Sequence, residues 1–398
     1  MPRRLPQVEF TFLLALLFAT VAFSIDAMLP GLPQIAAQLS PNDPNRAQLV
    51  LTAFVFGMGL GTLISGPISD HFGRKPLILF GLGLYIVGAI IGGLSSSMEV
   101  MLLGRAVQGF GAAFPRTVGL AMVRDLYEGR EMAKITSFVM TIFMLAPAAA
   151  PLIGSVIIEG FGWHGVFGAF VLIALIGAAW VTLRQGETLE PENRRHLNWT
   201  DIVGGTKIIL GNYNVRIYTL MLMLGFGQMF AVLSSVQQLY DETYGLAESF
   251  PYWFGGTALI AATSTVINGL LVTRLGMHFM IRMGFSISLI SSAITIVLYF
   301  AGLKTGAAGF GLFFIWTASV FFINAFTFGN LNALALVPLG KLAGLANSVI
   351  GALFTMGSVI IAAPVGLAFN GTPVPVILAA LICSGLALLL FKMERKEA

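Results

Sequence analysis

The sequence predicts an all-helical integral membrane protein, a bundle of twelve spans in two groups of six, and three observations carry that prediction. Charge is scarce: of 398 residues only 10% are Asp, Glu, Lys or Arg, whereas 57% are hydrophobic. Soluble proteins carry about a quarter charged residues. Apolar runs long enough to cross a bilayer, about 20 residues each, recur at 10–30, 47–69, 77–95, 98–122, 133–158, 163–183, 213–238, 249–273, 279–301, 307–335, 342–368 and 373–391. The cations are placed unevenly. With the amino terminus inside, eighteen of the 22 fall on the cytoplasmic side, only Arg46 and Lys304 lie in outer loops, and Arg105 and Arg116 lie within the membrane. That bias predicts both termini in the cytoplasm and an even number of spans. No alternation typical of an outer-membrane barrel is present, so helices are the expected form.

Span 1 follows Arg3 and Arg4 but lacks a small-x-small cleavage site, so it reads as a resident helix rather than a removable leader. Its Ala15, Ala19, Ala22 and Asp26 share one face, a stripe suited to close packing or to lining a cavity. Span 2 carries "GMGLGTLISG", a small-residue packing surface; the spacing is wrong for a nucleotide loop. Spans 2 and 3 are joined by "GPISDHFGRKP" (66–76), a dense knot of charge in an apolar chain. Asp70 sits there at the carboxyl end of a helix, where the dipole disfavours an anion. It needs a partner: Arg74, Arg124, or the amino-terminal end of the helix beginning near Leu342. With Gly66 and Gly73 flanking it, this group is expected to act as a conformational latch, against the plainer reading of a positive-inside loop with one stray acid.

Span 4 places Arg105, Gln108, Gly109, Ala112 and Arg116 on one face, with Pro115 bending the helix beside Arg116. Intramembrane ionisable groups are functional candidates, because each costs at least ~2.5 kcal/mol at the midplane. Asp26 lies about 24 Å from the inner start of span 1, and Arg105 about 28 Å above Arg124, so the two share a depth. Arg116 is only about 12 Å above Arg124. Asp26 is therefore the candidate proton carrier, with Arg105 beside it. Desolvation favours a neutral carboxyl and a nearby arginine the ionised one, so movement of Arg105 or entry of a substrate would switch proton affinity. The plainer reading is a fixed ion pair joining spans 1 and 4. Arg116 either points into a cavity and holds substrate or snorkels to the inner surface. Gln108, on the same stripe, is expected to line the cavity.

Span 5 has Pro147 and Pro151 one turn apart, then Gly154, which combines a kink with a close approach and reads as a tight seam between the halves. Between spans 6 and 7, residues 184–206 turn abruptly polar, a cytoplasmic linker separating an amino-terminal bundle (1–183) from a carboxyl-terminal one (207–398). A shift of about 203 residues overlays the halves, Gly66 and Gly73 matching Gly269 and Gly276, the two-repeat plan of a large class of secondary transporters. Span 7 aligns Gln228, Ala231, Ser235 and Gln238 on one stripe. These polar residues are expected to avoid lipid, by contacting substrate or by bonding to other helices.

Several motifs together resemble the major facilitator superfamily. "GPISDHFGRKP" resembles its loop 2–3 signature, "LLGRAVQGFGAA" (102–113) its helix 4 motif with an intramembrane arginine, and "APLIGS" (150–155) its helix 5 antiporter motif with Ala150 and Ser155 in place of glycines. "SIDAMLPGLPQIAAQL", "MVRDLYEGREMAK" and "GWHGVF" resemble the bicyclomycin- and chloramphenicol-resistance (Bcr/CflA) branch of drug/proton antiporters. The resemblance implies a proton-coupled exporter of small amphiphiles, antibiotics included, working by rocker-switch alternating access in a bacterial inner membrane. The alternative is a proton-coupled uptake symporter for an organic anion, held by Arg105 and Arg116. No cofactor is expected beyond the proton: the single Cys383 and the scattered His71, His164, His196 and His278 offer no metal set, and no phosphate loop signals ATP. No enzyme chemistry or nucleic-acid surface is indicated. A receptor would need an output domain for which the short tails leave little room. The chain is expected to act as a monomer in the bilayer.

Overall fold

The structure, a computed structural model, describes residues 5–194 and 199–395, with the backbone alone at 199, 201 and 341. Arg3, Arg4, Arg195, His196 and Lys396, used above for the charge bias and the histidine count, lie outside the described residues. Among the described residues the chain is helical, with no strand. It divides into two compact units, one running to Asn42 and from Ala53 to Gly205, the other comprising Asp43–Thr52 and the chain from Thr206 onward.

The first unit holds α1 (Gln7–Asp26), most of α2 (Leu49–Phe72), α3 (Arg74–Gly93), α4 (Met98–Leu126) and α5 (Gly129–Arg184). After α6 (Trp199–Gly211), the second holds α7 (Tyr213–Gln238), α8 (Phe250–Leu275), α9 (Met277–Phe300), α10 (Gly306–Phe322), α11 (Asn324–Leu336), α12 (Ala343–Leu367) and α13 (Val374–Lys392). Among the described residues, ten helical stretches are long and apolar enough to cross a bilayer. One of these, α5, bends at Gly162 (φ 66°) and supplies two spans rather than one. The remaining span is α4, whose 29 residues carry Arg105 and Arg116 in mid-helix. Each unit thus contributes six, α10 and α11 together making one, as the sequence predicts.

Three features differ from the sequence reading. Span 1 ends early: α1 stops at Asp26, and the chain continues through a tight turn at Leu29–Gly31 into a short helix, Leu32–Leu39. Pro30 and Pro33, each at the start of one of these pieces, lack the N–H needed to prolong the preceding helix. Spans 5 and 6 need no loop, since a glycine at positive φ turns the chain in a single residue. The polar segment after residue 183 is only partly a solvated linker: Gln185 and Leu189 are buried, and α6 begins at Trp199.

Packing within the first unit centres on α4. A Cβ on Gly109 would lie 1.9 Å from the carbonyl oxygen of Phe54 on α2, and one on Gly111 would lie 2.4 Å from the amide nitrogen of Tyr85 on α3. Backbone therefore meets backbone on two sides of α4, the close approach that small residues permit where solvent gives no hydrophobic drive. In the second unit α7 takes the equivalent role, packed by α11, α12 and α13.

Candidate functional site

Those two glycine contacts set the surroundings of Arg105. They bring Phe54 and Tyr85 alongside α4, and the fully buried guanidinium lies 4.5 Å from the centre of the Phe54 ring. Arg105 Nη2 donates to the carbonyl oxygen of Ser24 at 2.8 Å, and Nη1 donates to Gln108 Oε1 at 2.7 Å. The Ser24 hydroxyl, itself donating to the Thr20 carbonyl, lies 2.5 Å from the Tyr85 hydroxyl. The second arm of α5 adds Phe170, whose ring centre is 5.9 Å from the guanidinium. A cation in such a place is stabilised by charge-assisted hydrogen bonds and ring faces instead of water. Arg105 thereby pins the last turn of α1 against α4.

Asp26 is the final residue of that turn and only 4% exposed. The sequence places Asp26 and Arg105 at one depth; in the structure the Arg105 side chain bonds to the Ser24 carbonyl, two residues before the acid. Among the described residues no hydrogen bond or ion pair reaches the Asp26 carboxyl. The fixed Asp26–Arg105 ion pair considered above is therefore not what joins the two helices. The peptide after Asp26 is fixed from another side. A Cβ on Gly154 would lie 2.2 Å from the carbonyl oxygen of Ala27, so the Pro147–Pro151–Gly154 stretch of α5 packs directly on the end of α1. The seam expected between the halves is, at Gly154, a seam inside the first unit.

Arg116 is half-buried and meets no oxygen acceptor among the described residues; its Nη1 lies 3.8 Å from the thioether sulfur of Met58. Met58 lies between Gly57, which abuts Ala106, and Gly61, which abuts Phe110 and Ala113. It is thus level with the turn of α4 around residues 107–110, about 9–14 Å nearer the Met98 end than Arg116. The side chain extends toward the middle of the helix, away from the Leu126 end to which a snorkelling arginine would reach. That direction matches the general tilt of helical side chains toward the amino terminus.

The polar stripe of α7 is present and occupied. Gln228 Oε1 accepts from Ser288 on α9 at 3.0 Å and from Ser384 on α13 at 2.9 Å, a buried tie across three helices. Ser235 donates to Gln48 Oε1 at 2.8 Å. Gln238 accepts from Gln48 Nε2 at 2.6 Å and donates to Asn45 Oδ1 at 3.1 Å. Asn45 in turn donates to the carbonyls of Leu367 and Phe369. The stripe thus holds Asp43–Thr52, the segment that joins the second unit.

At the loop between α2 and α3, Asp70 pairs with Arg74 at 2.5 Å, the nearer of the expected partners. Arg124 is exposed and makes no ion pair or hydrogen bond among the described residues. Its neighbour Asp125 takes the place instead, accepting from Arg74 Nε at 2.9 Å. One residue along a helix turns the side chain by about 100°, enough to exchange which of the two faces the cluster. Ser69 also accepts from Arg74, Gly66 accepts from Ser69, and Thr188 donates to Asp125. Glu187 then accepts from the amide nitrogens of Arg74 and Lys75 at 2.9 and 3.2 Å, capping α3 from a distant part of the chain. Gly73 makes room for it: φ is 101°, and a Cβ there would lie 2.5 Å from Glu187 Oε2.

Sequence reasoning missed Ser24, Tyr85, Phe54 and Phe170 around Arg105, and Asp125 and Glu187 around Arg74. Ser24 and Tyr85 were findable as hydroxyls in otherwise apolar spans. The two phenylalanines stood among 32 with nothing to distinguish them.

Six spans in each of two compact units, with charge buried inside the first, define the class: a helical, multi-pass membrane transporter. Over residues 13–363 the sequence matches the family described as the Major Facilitator Superfamily. It is 31% identical over 354 residues to a bicyclomycin resistance protein homolog of Haemophilus influenzae, covering 88% of this chain and 87% of that one. It is 25% identical over 366 residues to multidrug resistance protein D of Escherichia coli, covering 90% and 89%. The partially occluded, inward-open structure of the xylose transporter XylE from E. coli shares the fold, with a TM-score of 0.74 at 12% identity over 97% of this chain and 98% of that one. The chain belongs to the Major Facilitator Superfamily, in its Bcr/CflA drug-resistance branch, and is a transporter rather than an enzyme.

Proposed function

We propose that this protein is a proton-coupled exporter of small amphiphilic compounds in a bacterial inner membrane, with both termini on the cytoplasmic side and its two six-helix units moving by a rocker-switch. The relatives named for resistance to bicyclomycin and to multiple drugs support the direction of transport and the class of cargo. The observation that carries the coupling is the Asp26 carboxyl, 4% exposed and reached by no hydrogen bond or ion pair among the described residues. An unpaired charge in such a place is costly. The acid therefore holds a proton when enclosed and gives it up when water or a cationic partner arrives. Arg105 is the positioning residue: it holds the end of α1 through Ser24, so a shift of α4 is felt at Asp26 within two residues. The uptake reading needs both arginines for an anion, and Arg105 already donates to Ser24 and Gln108.

The test is proton release from the purified full chain in weakly buffered detergent solution, on addition of bicyclomycin, chloramphenicol and a panel of other small amphiphiles. At least one compound is expected to release protons in proportion to its binding. Release by none, or proton uptake with every compound that binds, contradicts the exporter reading.

A further inference from the structure

The mechanism proposed above uses Asp26 and Arg105 and leaves one half-buried charge inside a span without employment. Arg116 is eighteen residues from the start of α4 and ten from its end, near the middle of a helix about 43 Å long. Its guanidinium has five N–H donors in a fixed fork, and the structure gives it a thioether sulfur at 3.8 Å and no oxygen acceptor among the described residues. A cation near the middle of a bilayer is kept only where something repays its cost. The two ordinary repayments are absent: no acid or carbonyl accepts from it, and the side chain points away from the nearer helix end. On the same face Arg105 donates to Gln108 Oε1 and to Ser24 on α1, and the neutral amide Gln108 Nε2 has no partner among the described residues, so Arg116 is the charged group of the stripe whose donors meet no oxygen acceptor.

Resting on the exporter reading, we infer that Arg116 is a specificity determinant: its fork binds an oxyanion, a carboxylate or sulfonate, on the cargo, whose apolar body lies toward Met58. Two parallel N–H···O bonds to a planar carboxylate are the contact this group makes best. Met58, only 5% exposed, brings its polarisable thioether sulfur beside the guanidinium, a soft apolar contact at that end of the fork. The preferred cargo is then an anionic amphiphile, selected by charge at one end and loosely by shape at the other. Oxyanion and proton then occupy separate side chains, Arg116 and Asp26.

The matched probes are 6-phenylhexanoate and its neutral amide, 6-phenylhexanamide, titrated calorimetrically into the purified full chain and followed as radiolabelled solutes in proteoliposomes. Wild type is expected to bind the acid at least ~10-fold more tightly than the amide. Arg116→Met is expected to lose ~10–100-fold for the acid while binding the amide within ~2-fold, the second value reporting an intact site. Arg116→Lys keeps the charge without the fork and falls between. Equal affinity for the two probes in wild type, or equal loss of both in Arg116→Met, overturns the inference. Uphill movement of the amide but not of the acid also overturns it and leaves the exporter reading standing. If neither probe is bound or moved, the inference falls, and the exporter reading is decided by the proton-release panel.

Discussion

At the scale of single residues, Arg105 and Arg116 show how one helix stripe can serve two ends. They are eleven positions apart on α4, yet Arg105 donates to two oxygen acceptors whereas Arg116 meets none among the described residues. Arg105→Met removes the donors to Ser24 and Gln108 together, leaving two buried acceptors unpaired at about 1–3 kcal/mol each. A lower unfolding temperature of the detergent-solubilised protein is expected, with partial recovery in Arg105→Gln, which restores a donor without the charge. An unchanged unfolding temperature in Arg105→Met contradicts the positioning role. Asp26 and both arginines were legible in the sequence because a charge in an apolar run is conspicuous at any alignment of helices. Their partners were not. Whether Arg105 meets the Asp26 carboxyl or the Ser24 carbonyl is decided by side-chain direction over a few ångströms, which residue spacing does not encode.

At the scale of helices, glycine placement decides which surfaces meet. Gly109→Leu puts a branched side chain where even a Cβ is 1.9 Å from the Phe54 carbonyl, and overpacking a fitted interface costs about 1–3 kcal/mol or more. That variant is expected to accumulate poorly in the membrane and to aggregate on extraction. Gly168→Ala on α5, where a Cβ meets nothing within 4 Å, is expected to accumulate normally and unfold slightly later, since alanine favours helix by up to ~1 kcal/mol. The two are compared by fluorescence-detected size-exclusion chromatography, and similar profiles contradict the packing account. The segment Asp43–Thr52 supplies a second case. Gln48 bonds to Ser235 and Gln238 through both amide atoms, so Gln48→Ala is expected to raise hydrogen exchange at residues 43–52 at least ~10-fold while α9 and α13 stay protected. Unaltered exchange there contradicts it. Helix number and order could be read from apolar run length, because the bilayer imposes that length. The helix ends could not be read as reliably. The break after Asp26 depends on Pro30 and Pro33 prevailing over a continuous apolar run, and the turn at Gly162 on one glycine among 46.

At the scale of the molecule, two six-helix units contribute unequal chemistry. The first carries Asp26, Arg105 and Arg116 inside its helices. The polar stripe of the second is spent on tying α7 to α9, α13 and Asp43–Thr52. Internal duplication was visible in the sequence as helix count and a polar middle, whereas this division of labour was not, since Gln228, Ser235 and Gln238 read equally well as substrate contacts or as structural ties. If exchange of a proton for cargo resides in the first unit alone, one substitution there should uncouple the transporter and leave it folded. The direct measurement is transport by Asp26→Asn in proteoliposomes with an imposed pH difference, using a compound that wild type accumulates uphill. The account predicts that accumulation disappears while downhill, self-exchange movement of the same compound persists within about threefold, the buried amide mimicking the protonated acid. Accumulation by Asp26→Asn that still follows the pH difference, at a wild-type level, contradicts it.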